Sequence, residues 1–383
     1  MRILHVSDNS YPNIGGVERV VHELAKRQVR DGHKVLVVAG HENMYKARLQ
    51  QDGVFYLKYP YYQLPLASKY HFRRFLPDLV HVNSYLSSPL YVLDSSRVVR
   101  HVHDVYLQSS NAYFSSGFAN VARLLESTLL GSFRNYIVPS VSTYSKLASL
   151  LHKPSSIWII PNGVDTTVFY PREKGWLKAK LSLPTNFQIV GFVGRLSVGK
   201  GALDALVAVA PLLKRKEKLA LVFVGPPSTG KTSGQASAFP HILKFVKRFD
   251  LEKQVIFLPP LNDSDLAKAY SDMEVLLLPS SSEGFGLTVL EAAACGTPSV
   301  VYHTGSLPEV VKNETTGFIV RFKAIDQLTE RVSQILDEKV DADKIRGACV
   351  EWANRFSWNA VYSSVMRVYE CLVGGQVELA MEP

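Results

Sequence analysis

The chain has 383 residues, 46% of them apolar and 20% charged, which excludes a disordered chain and leaves length for two cored domains. Its net charge of +9 is uneven: residues 1–170 carry 18 Lys and Arg against 11 Asp and Glu, and residues 171–383 carry 25 against 23. A basic first half suits a phosphorylated substrate or an anionic lipid surface. Nucleic acid fits least, because no stacking-platform or recognition-helix pattern is present, and no nucleic-acid partner is expected.

The chain enters a strand at once, Arg2–Ser7, so no secretory leader is expected. No apolar run is long enough to span a bilayer. Three scattered cysteines, Cys295, Cys349 and Cys371, have no metal or redox spacing. A cytoplasmic location is expected, with the inner membrane surface as a further expectation. Gly15-Gly16 then opens an amphipathic helix from Val17 to about Arg30. Further strands read at Lys34–Ala39, Asp78–Asn83, Arg97–Val102, Tyr136–Val138 and Ile157–Ile160. Between them, Tyr56–Phe75 is rich in Tyr, Phe, Lys and Arg. It reads as a loop with a short helix, although interfacial membrane segments mix the same residues. Pro161-Asn162-Gly163-Val164-Asp165 is a turn.

A second series follows at Gln188–Val193, Leu219–Val224, Gln254–Leu258, Glu274–Leu278, Ser299–Tyr302 and Gly317–Val320, with helices between. Strands alternating with helices imply parallel sheets covered on both faces. Two such series predict an α/β chain of two doubly wound, Rossmann-like domains facing across a cleft. The expected domains are 1–170 and 171–356, with a last helix from Trp358 to Cys371 inside a terminal segment, 357–383, that is loose from Gly374.

Several residues stand where such sheets bind ligands, beyond the carboxyl ends of strands. His101-Val102-His103-Asp104 closes one strand. His101 is expected on the other strand face, in packing, and a His-x-His metal pair with His103 lacks a third ligand. His81 and Asn83 end another strand. Arg195 and Lys200 follow the first strand of the second series, and a Lys at a helix start opposes the dipole unless an anion is near. Gly225-Pro226-Pro227-Ser228-Thr229-Gly230-Lys231-Thr232 satisfies a P-loop pattern. Ser and Gly continue through Ser237, where a P-loop helix should begin, so a surface loop competes with the nucleotide reading. Asp263-Ser264-Asp265 begins a helix, and N-capping accounts for it better than metal binding does.

The richest stretch is Ser280–Pro298. It leaves a buried strand, breaks at Gly284 and Gly286, turns helical and stops at Gly296 and Pro298. Glu283 falls in the loop and Glu291 in the helix. On one continuous helix they would be roughly 80° apart, but the glycines release Glu283, so both carboxylates can face one ligand beside a phosphate-seating helix start. The simpler alternative is a capping box, Thr288-x-x-Glu291, worth about 1 kcal/mol.

Glu, seven residues and Glu, with Gly-Phe-Gly between, resembles the donor-sugar motif of family-four retaining glycosyltransferases. The loop Asp8–Glu18, the stretch Ile160–Asp165 and Phe192-Val193-Gly194-Arg195-Leu196 with Lys200-Gly201 resemble the opening loop, interdomain stretch and diphosphate site of that family. The resemblance implies a GT-B fold, with the last helix crossing back to the first domain. It implies retaining transfer from a nucleotide-diphosphate sugar to a glycan, lipid-linked or small-molecule acceptor, with no metal, no cofactor and no protein nucleophile. Glu283 and His103 would contact the transferred sugar, and Glu291 the ribose. Arg195 and Lys200 would hold the diphosphate. The backbone of Gly284, Phe285, Gly286, Leu287 and Thr288 would meet sugar and diphosphate. Gly15 and Gly16 would approach the donor, and the loop from Leu258 would cradle the base. The alternatives are a P-loop NTPase or kinase, a non-catalytic nucleotide-sugar binder, and an epimerase or phosphorylase. The segment Tyr56–Phe75 adds peripheral membrane contact, and Asp104–Gly117 would border the acceptor.

Overall fold

The computed structural model describes all residues except 13–14, 43–44, 86, 88–90, 92–95, 106–127, 129, 132, 152–154, 228–235, 340 and 375–383. The chain forms two compact units, one of Met1–Asn162 with the segment from Trp358 onward, the other of Gly163–Ser357.

The first unit is built on β1 (Arg2–Ser7), β2 (Lys34–His41), β3 (Ala47–Gln51), β4 (Val54–Pro60), β5 (Leu79–Asn83), β6 (Val98–His101), β7 (Asn135–Val138) and β8 (Ser156–Ile159), in the order β3-β4-β2-β1-β5-β6-β7-β8. All neighbours are parallel except β3 and β4. Side chains alternate between two buried clusters, as the two-residue period of a strand requires. Ile3, Val35, Val37, Leu79 and Val99 join one cluster, and Leu4, Val6, Val38, Val80 and Val82 the other. The first face is covered by α1 (Gly16–Arg30) through Val20, Val21 and Leu24, and by the helix Trp358–Gly374 through Val361, Val365, Val368 and Tyr369. Burying a Val or Leu fully contributes about 1.5–3 kcal/mol, so these two stripes hold their helices to the sheet.

Over Tyr56–Phe75, expected as a loop with a short helix, the helix is present and runs 12 residues, α2 (Leu64–Phe75), while the rest is the end of β4 and a short 3-10 turn, Tyr61–Gln63. Asp52 (φ 50°) and Gly53 (φ 76°) are both left-handed and join β3 to β4 in a two-residue hairpin, with Gln51 opposite Val54. Asp-Gly is a strong signal for that turn. It is masked here because β3 has no buried residue and β4 buries only Val54, Tyr56 and Pro60, with an exposed Phe55 and a half-buried Lys58 between them.

The second unit has β9 (Gln188–Val193), β10 (Leu219–Val224), β11 (Val255–Leu258), β12 (Val275–Leu278), β13 (Ser299–Tyr302) and β14 (Gly317–Val320), all parallel, in the order β11-β10-β9-β12-β13-β14. Its strands read as near-continuous Val, Leu, Ile and Phe because both faces are covered. Val164 and Phe169 are buried in this unit's core, and the Val164 N–H donates to the Phe356 carbonyl at 2.8 Å, so the division between units precedes residue 170.

Candidate functional site

In the second unit the chain leaves β9 to one side for β10 and β11, and to the other for β12, β13 and β14. The carboxyl ends of β9 and β12 therefore flank a topological switch point, where open α/β sheets bind ligands. Lys200 follows β9 and Glu283 follows β12, and they meet: Lys200 Nζ lies 2.6 Å from Glu283 Oε1. The Ser280 hydroxyl donates to the same oxygen at 2.8 Å. Both bonds fall on Oε1. Ser306 fixes the Glu283 carbonyl from below with its N–H and its hydroxyl, each at 3.1 Å. The pair is largely buried, with side-chain exposures of 24% for Lys200 and 10% for Glu283.

Gly201 makes the meeting possible. Its φ is +71°, and a Cβ there would lie 2.0 Å from the Pro279 carbonyl oxygen. The turn before the helix Ala202–Arg215 thus sits directly on the chain leaving β12. The Ser281 N–H and hydroxyl both donate to the Gly199 carbonyl, at 2.9 and 3.1 Å, and lock the two loops together.

Gly286 (φ 97°) is the N-cap of the helix Leu287–Ala294, and no side chain caps it. The capping-box alternative is therefore overturned: Thr288 is the second residue inside the helix and Glu291 the fifth. Glu291 is 7% exposed and accepts from the Tyr270 hydroxyl at 3.3 Å. Phe285 is buried and packs edge-on against Phe356. Gly284, Leu287 and Thr288 are half-buried around the helix start. Arg195 follows β9 and is exposed. Leu258 closes β11, and its carbonyl accepts from the Gly225 N–H at 3.0 Å, so that oxygen is already used within the unit.

The first unit has its own switch point, between β1 and β5. Asp8 spans it, accepting from the Ser84 hydroxyl and from the Tyr85 N–H at 2.8 Å. His103 follows β6 and is half-buried; its Nε2 lies 2.9 Å from Asn83 Oδ1. That nitrogen must donate, so the neutral ring presents Nδ1 as an acceptor. Burial, then the Arg100 charge, push the His103 pKa down to about 3. Gly15 is the N-cap of α1 and Gly16 its first residue.

Behind His103 stands a column of imidazoles. His101 stacks on His103 at 4.1 Å between centroids, His81 on His101 at 5.2 Å, and His5 on His81 at 5.1 Å. The Tyr369 hydroxyl is bonded to His81 Nδ1, His81 Nε2 to His101 Nδ1 at 3.2 Å, and His5 Nε2 to Gln28 Oε1 at 2.8 Å. Desolvation drives all of them toward the neutral ring; His5 falls to about 4, and His81 and His101 fall well below the ordinary value. His101 is packed, at 3% exposure, but not on the opposite face as expected: it stacks on His103, because residues two apart lie on the same side of a strand.

The sites thus divide by unit. Gly15, Gly16 and His103 lie in the first; Arg195, Lys200, Leu258, Glu283–Thr288 and Glu291 lie in the second. Ser280, Ser306 and Tyr270 support the carboxylates and were not anticipated. A Ser-Ser-Ser run before Glu283 is a faint signal, because small hydroxyls are common in loops. The P-loop-like run ends outside the described residues, Lys231 and Thr232 among them, as does 106–117 of the acceptor-side loop. Asp263 and Asp265 do not cap their helix: Asn262 does, its side chain accepting from the Asp265 N–H at 3.0 Å, and the two carboxylates lie in the first turn. Among the described residues no group of three or more His, Cys, Asp or Glu could hold a metal.

Comparison with known proteins adds the following. Residues 174–353 match the family model for glycosyl transferases group 1, and residues 14–168 match that for glycosyltransferase family 4. A D-inositol 3-phosphate glycosyltransferase of Mycobacterium leprae is 30% identical over 308 residues, 78% of this chain and 70% of that protein. Its counterpart in Segniliparus rotundus is 32% identical over 222 residues, 58% of this chain and 48% of the relative. The match thus spans about half the length of several such relatives. Sucrose-phosphate synthase from Thermosynechococcus elongatus superposes with a TM-score of 0.84 at 23% identity, covering 98% of this chain and 100% of that one. Anabaena HepE, solved with UDP and glucose, superposes with a TM-score of 0.80 at 20% identity, covering 96% and 99%. These likenesses are of fold.

Proposed function

Because this chain belongs to the group 1 glycosyltransferases of family 4, with their GT-B fold, we propose that it moves a sugar from a nucleotide-diphosphate sugar to a glycan, lipid-linked or small-molecule acceptor, with retention and without a metal. The observation that carries the reading is the Lys200–Glu283 pair over the switch point of the second unit. An ammonium has three donors, so Lys200 can keep Glu283 while meeting a diphosphate. As the donor's glycosidic bond breaks, negative charge grows on the leaving phosphate oxygen. Fixed cations at Lys200 and Arg195 stabilise that charge more than the ground state, which is what accelerates a reaction. Glu283 faces the transferred sugar, and Glu291 holds the ribose hydroxyls. The backbone around Gly284–Thr288 meets the diphosphate, with the helix dipole favouring the anion. His103 Nδ1 accepts from a sugar hydroxyl. The leaving oxygen takes the acceptor's proton on the same face, with no covalent sugar–protein adduct. Peripheral contact with a membrane surface is part of the same reading.

The test is a thermal-shift screen against UDP, GDP, ADP and their sugars, followed by product assay. A bound donor raises stability with the logarithm of its excess over Kd. One nucleotide series should shift the transition. Lys200→Glu and Arg195→Glu should abolish both the shift and turnover. The product's anomeric configuration should match the donor's, and turnover should persist in EDTA. Turnover unaffected by both charge reversals would refute the assignment. Lys231→Ala should leave transfer intact, whereas a P-loop would lose it.

A further inference from the structure

A groove of about 1120 Å³ lies within the first unit, between α2 and the β3–β4 hairpin. Lys46, Arg48, Lys58 and Arg74 line it together with His71, and no Asp or Glu does. Aromatic faces hold two of the charges: Lys46 lies 5.2 Å from the Tyr59 ring centroid, and Arg74 lies 5.8 Å from that of Tyr70. Burial lowers the pKa of Lys58, the direction taken by a desolvated cation. A lining with several cations and no carboxylate is complementary to an anion.

The rim has a second character. Leu66 and Tyr70, four apart on α2, share one face, and Tyr62 of the preceding 3-10 turn lines the same groove; the three are 66%, 75% and 53% exposed in the order Tyr62, Leu66, Tyr70. Arg73 and Arg74 are exposed beside them. Single exposed apolar residues are ordinary, but a stripe of three flanked by cations is the composition of a segment that lies in a lipid interface. A soluble phosphate ester would engage the cations alone and leave the three-quarters exposed Leu66 without a purpose. No described helix is long and apolar enough to cross a membrane.

We propose that this face of the first unit docks on an anionic membrane surface, with Tyr62, Leu66 and Tyr70 entering the headgroup layer and Lys46, Arg48, Lys58 and Arg74 meeting lipid phosphates. The inference deepens the membrane contact named above by assigning its residues and its lipid charge. It rests on the transferase reading only for its purpose, because vesicle binding is measured without any transfer.

The experiment is co-sedimentation of the full chain with vesicles of phosphatidylcholine alone and of phosphatidylcholine mixed with phosphatidylglycerol, at low and high salt. Binding is expected only to the mixed vesicles, and it should weaken with salt. Arg48→Ala and Arg74→Ala should each lower partitioning about 5-fold, the weight of one cation near such a surface. Leu66→Glu should abolish binding. All three positions are exposed, and unchanged melting and nucleotide thermal shifts in the variants would show that folding and donor binding are intact. Failure to bind mixed vesicles overturns the proposal, as does equal binding to neutral ones. Inorganic phosphate displacing the protein while Leu66→Glu has no effect would assign the groove to a soluble anion instead. A wild-type protein that binds vesicles but shows no nucleotide shift would sink the transferase reading and leave the docking surface standing.

Discussion

At the scale of single residues, the ion pair of Lys200 and Glu283 does two jobs that pull against each other. In a largely desolvated place each charge needs the other, so removing one strands its partner. Breaking a buried pair costs about 3–5 kcal/mol, and the 24% exposure of Lys200 brings the expectation down to about 1–3 kcal/mol. Lys200→Met and Glu283→Gln should each lower the urea midpoint, and the double variant should recover part of the loss. Additive effects would mean the two side chains are not coupled. Glu291 is a cleaner case, because it is not a capping residue. Glu291→Ala should cost about 1.5–3 kcal/mol of stability, the value of a bond to a charged group such as that from Tyr270, and should also weaken donor binding by about 10-fold or more. Titration calorimetry with the nucleotide found in the screen measures the second effect, and unchanged affinity would remove Glu291 from the site.

At the scale of elements, the site depends on two loops lying closer than side chains allow. The carbonyl of Pro279 occupies the space where any Cβ at position 201 would stand, and the backbone there is left-handed. Gly201→Ala must move the start of the helix Ala202–Arg215 or the chain leaving β12, and with it Lys200 away from Glu283. The loss should be at least about 1–3 kcal/mol in thermal unfolding, with turnover falling further than stability. A variant with wild-type melting and wild-type turnover would show that the contact is slack. The β3–β4 hairpin makes the complementary point. Its turn is Asp52-Gly53, but none of β3 is buried and β4 buries only Val54, Tyr56 and Pro60, so the strand pattern dissolves among Lys, Arg and Tyr.

At the scale of the whole molecule, pH should act on the two units unequally. Four imidazoles, His5, His81, His101 and His103, stand in a column across β1, β5 and the end of β6, all held below their ordinary pKa, with Arg100 buried beside them. The folded state refuses protons that the unfolded chain accepts from about pH 6.5 downward, so stability falls as pH falls. For His5, whose folded value is about 4, the loss reaches about 2 kcal/mol by about pH 5, and the others add to it. Urea unfolding at about pH 7 and pH 5 should show a lower midpoint in acid, and His5→Gln should flatten the dependence. Equal midpoints at the two pH values would contradict the buried neutral column.

What the sequence by itself determined was the alternation of strands and helices, and therefore two mainly parallel sheets with candidates at their carboxyl ends; the antiparallel β3 was not among them. The runs Gln188–Val193 and Leu219–Val224 are apolar because both sheet faces are covered, and that requirement is written residue by residue. It also offered Glu283, Glu291, Arg195 and Lys200 as candidates, through glycine breaks and charges in an apolar frame and above all through the resemblance of those motifs to a glycosyltransferase family. Only the tertiary structure decided that Lys200 and Glu283 touch, that Gly286 and not Thr288 starts its helix, and that four histidines spread over some hundred positions stack into one column. Those facts depend on which strands become neighbours and how near two loops can come, and strand order and close approach are set by packing between segments distant in sequence, not by the local pattern of any one.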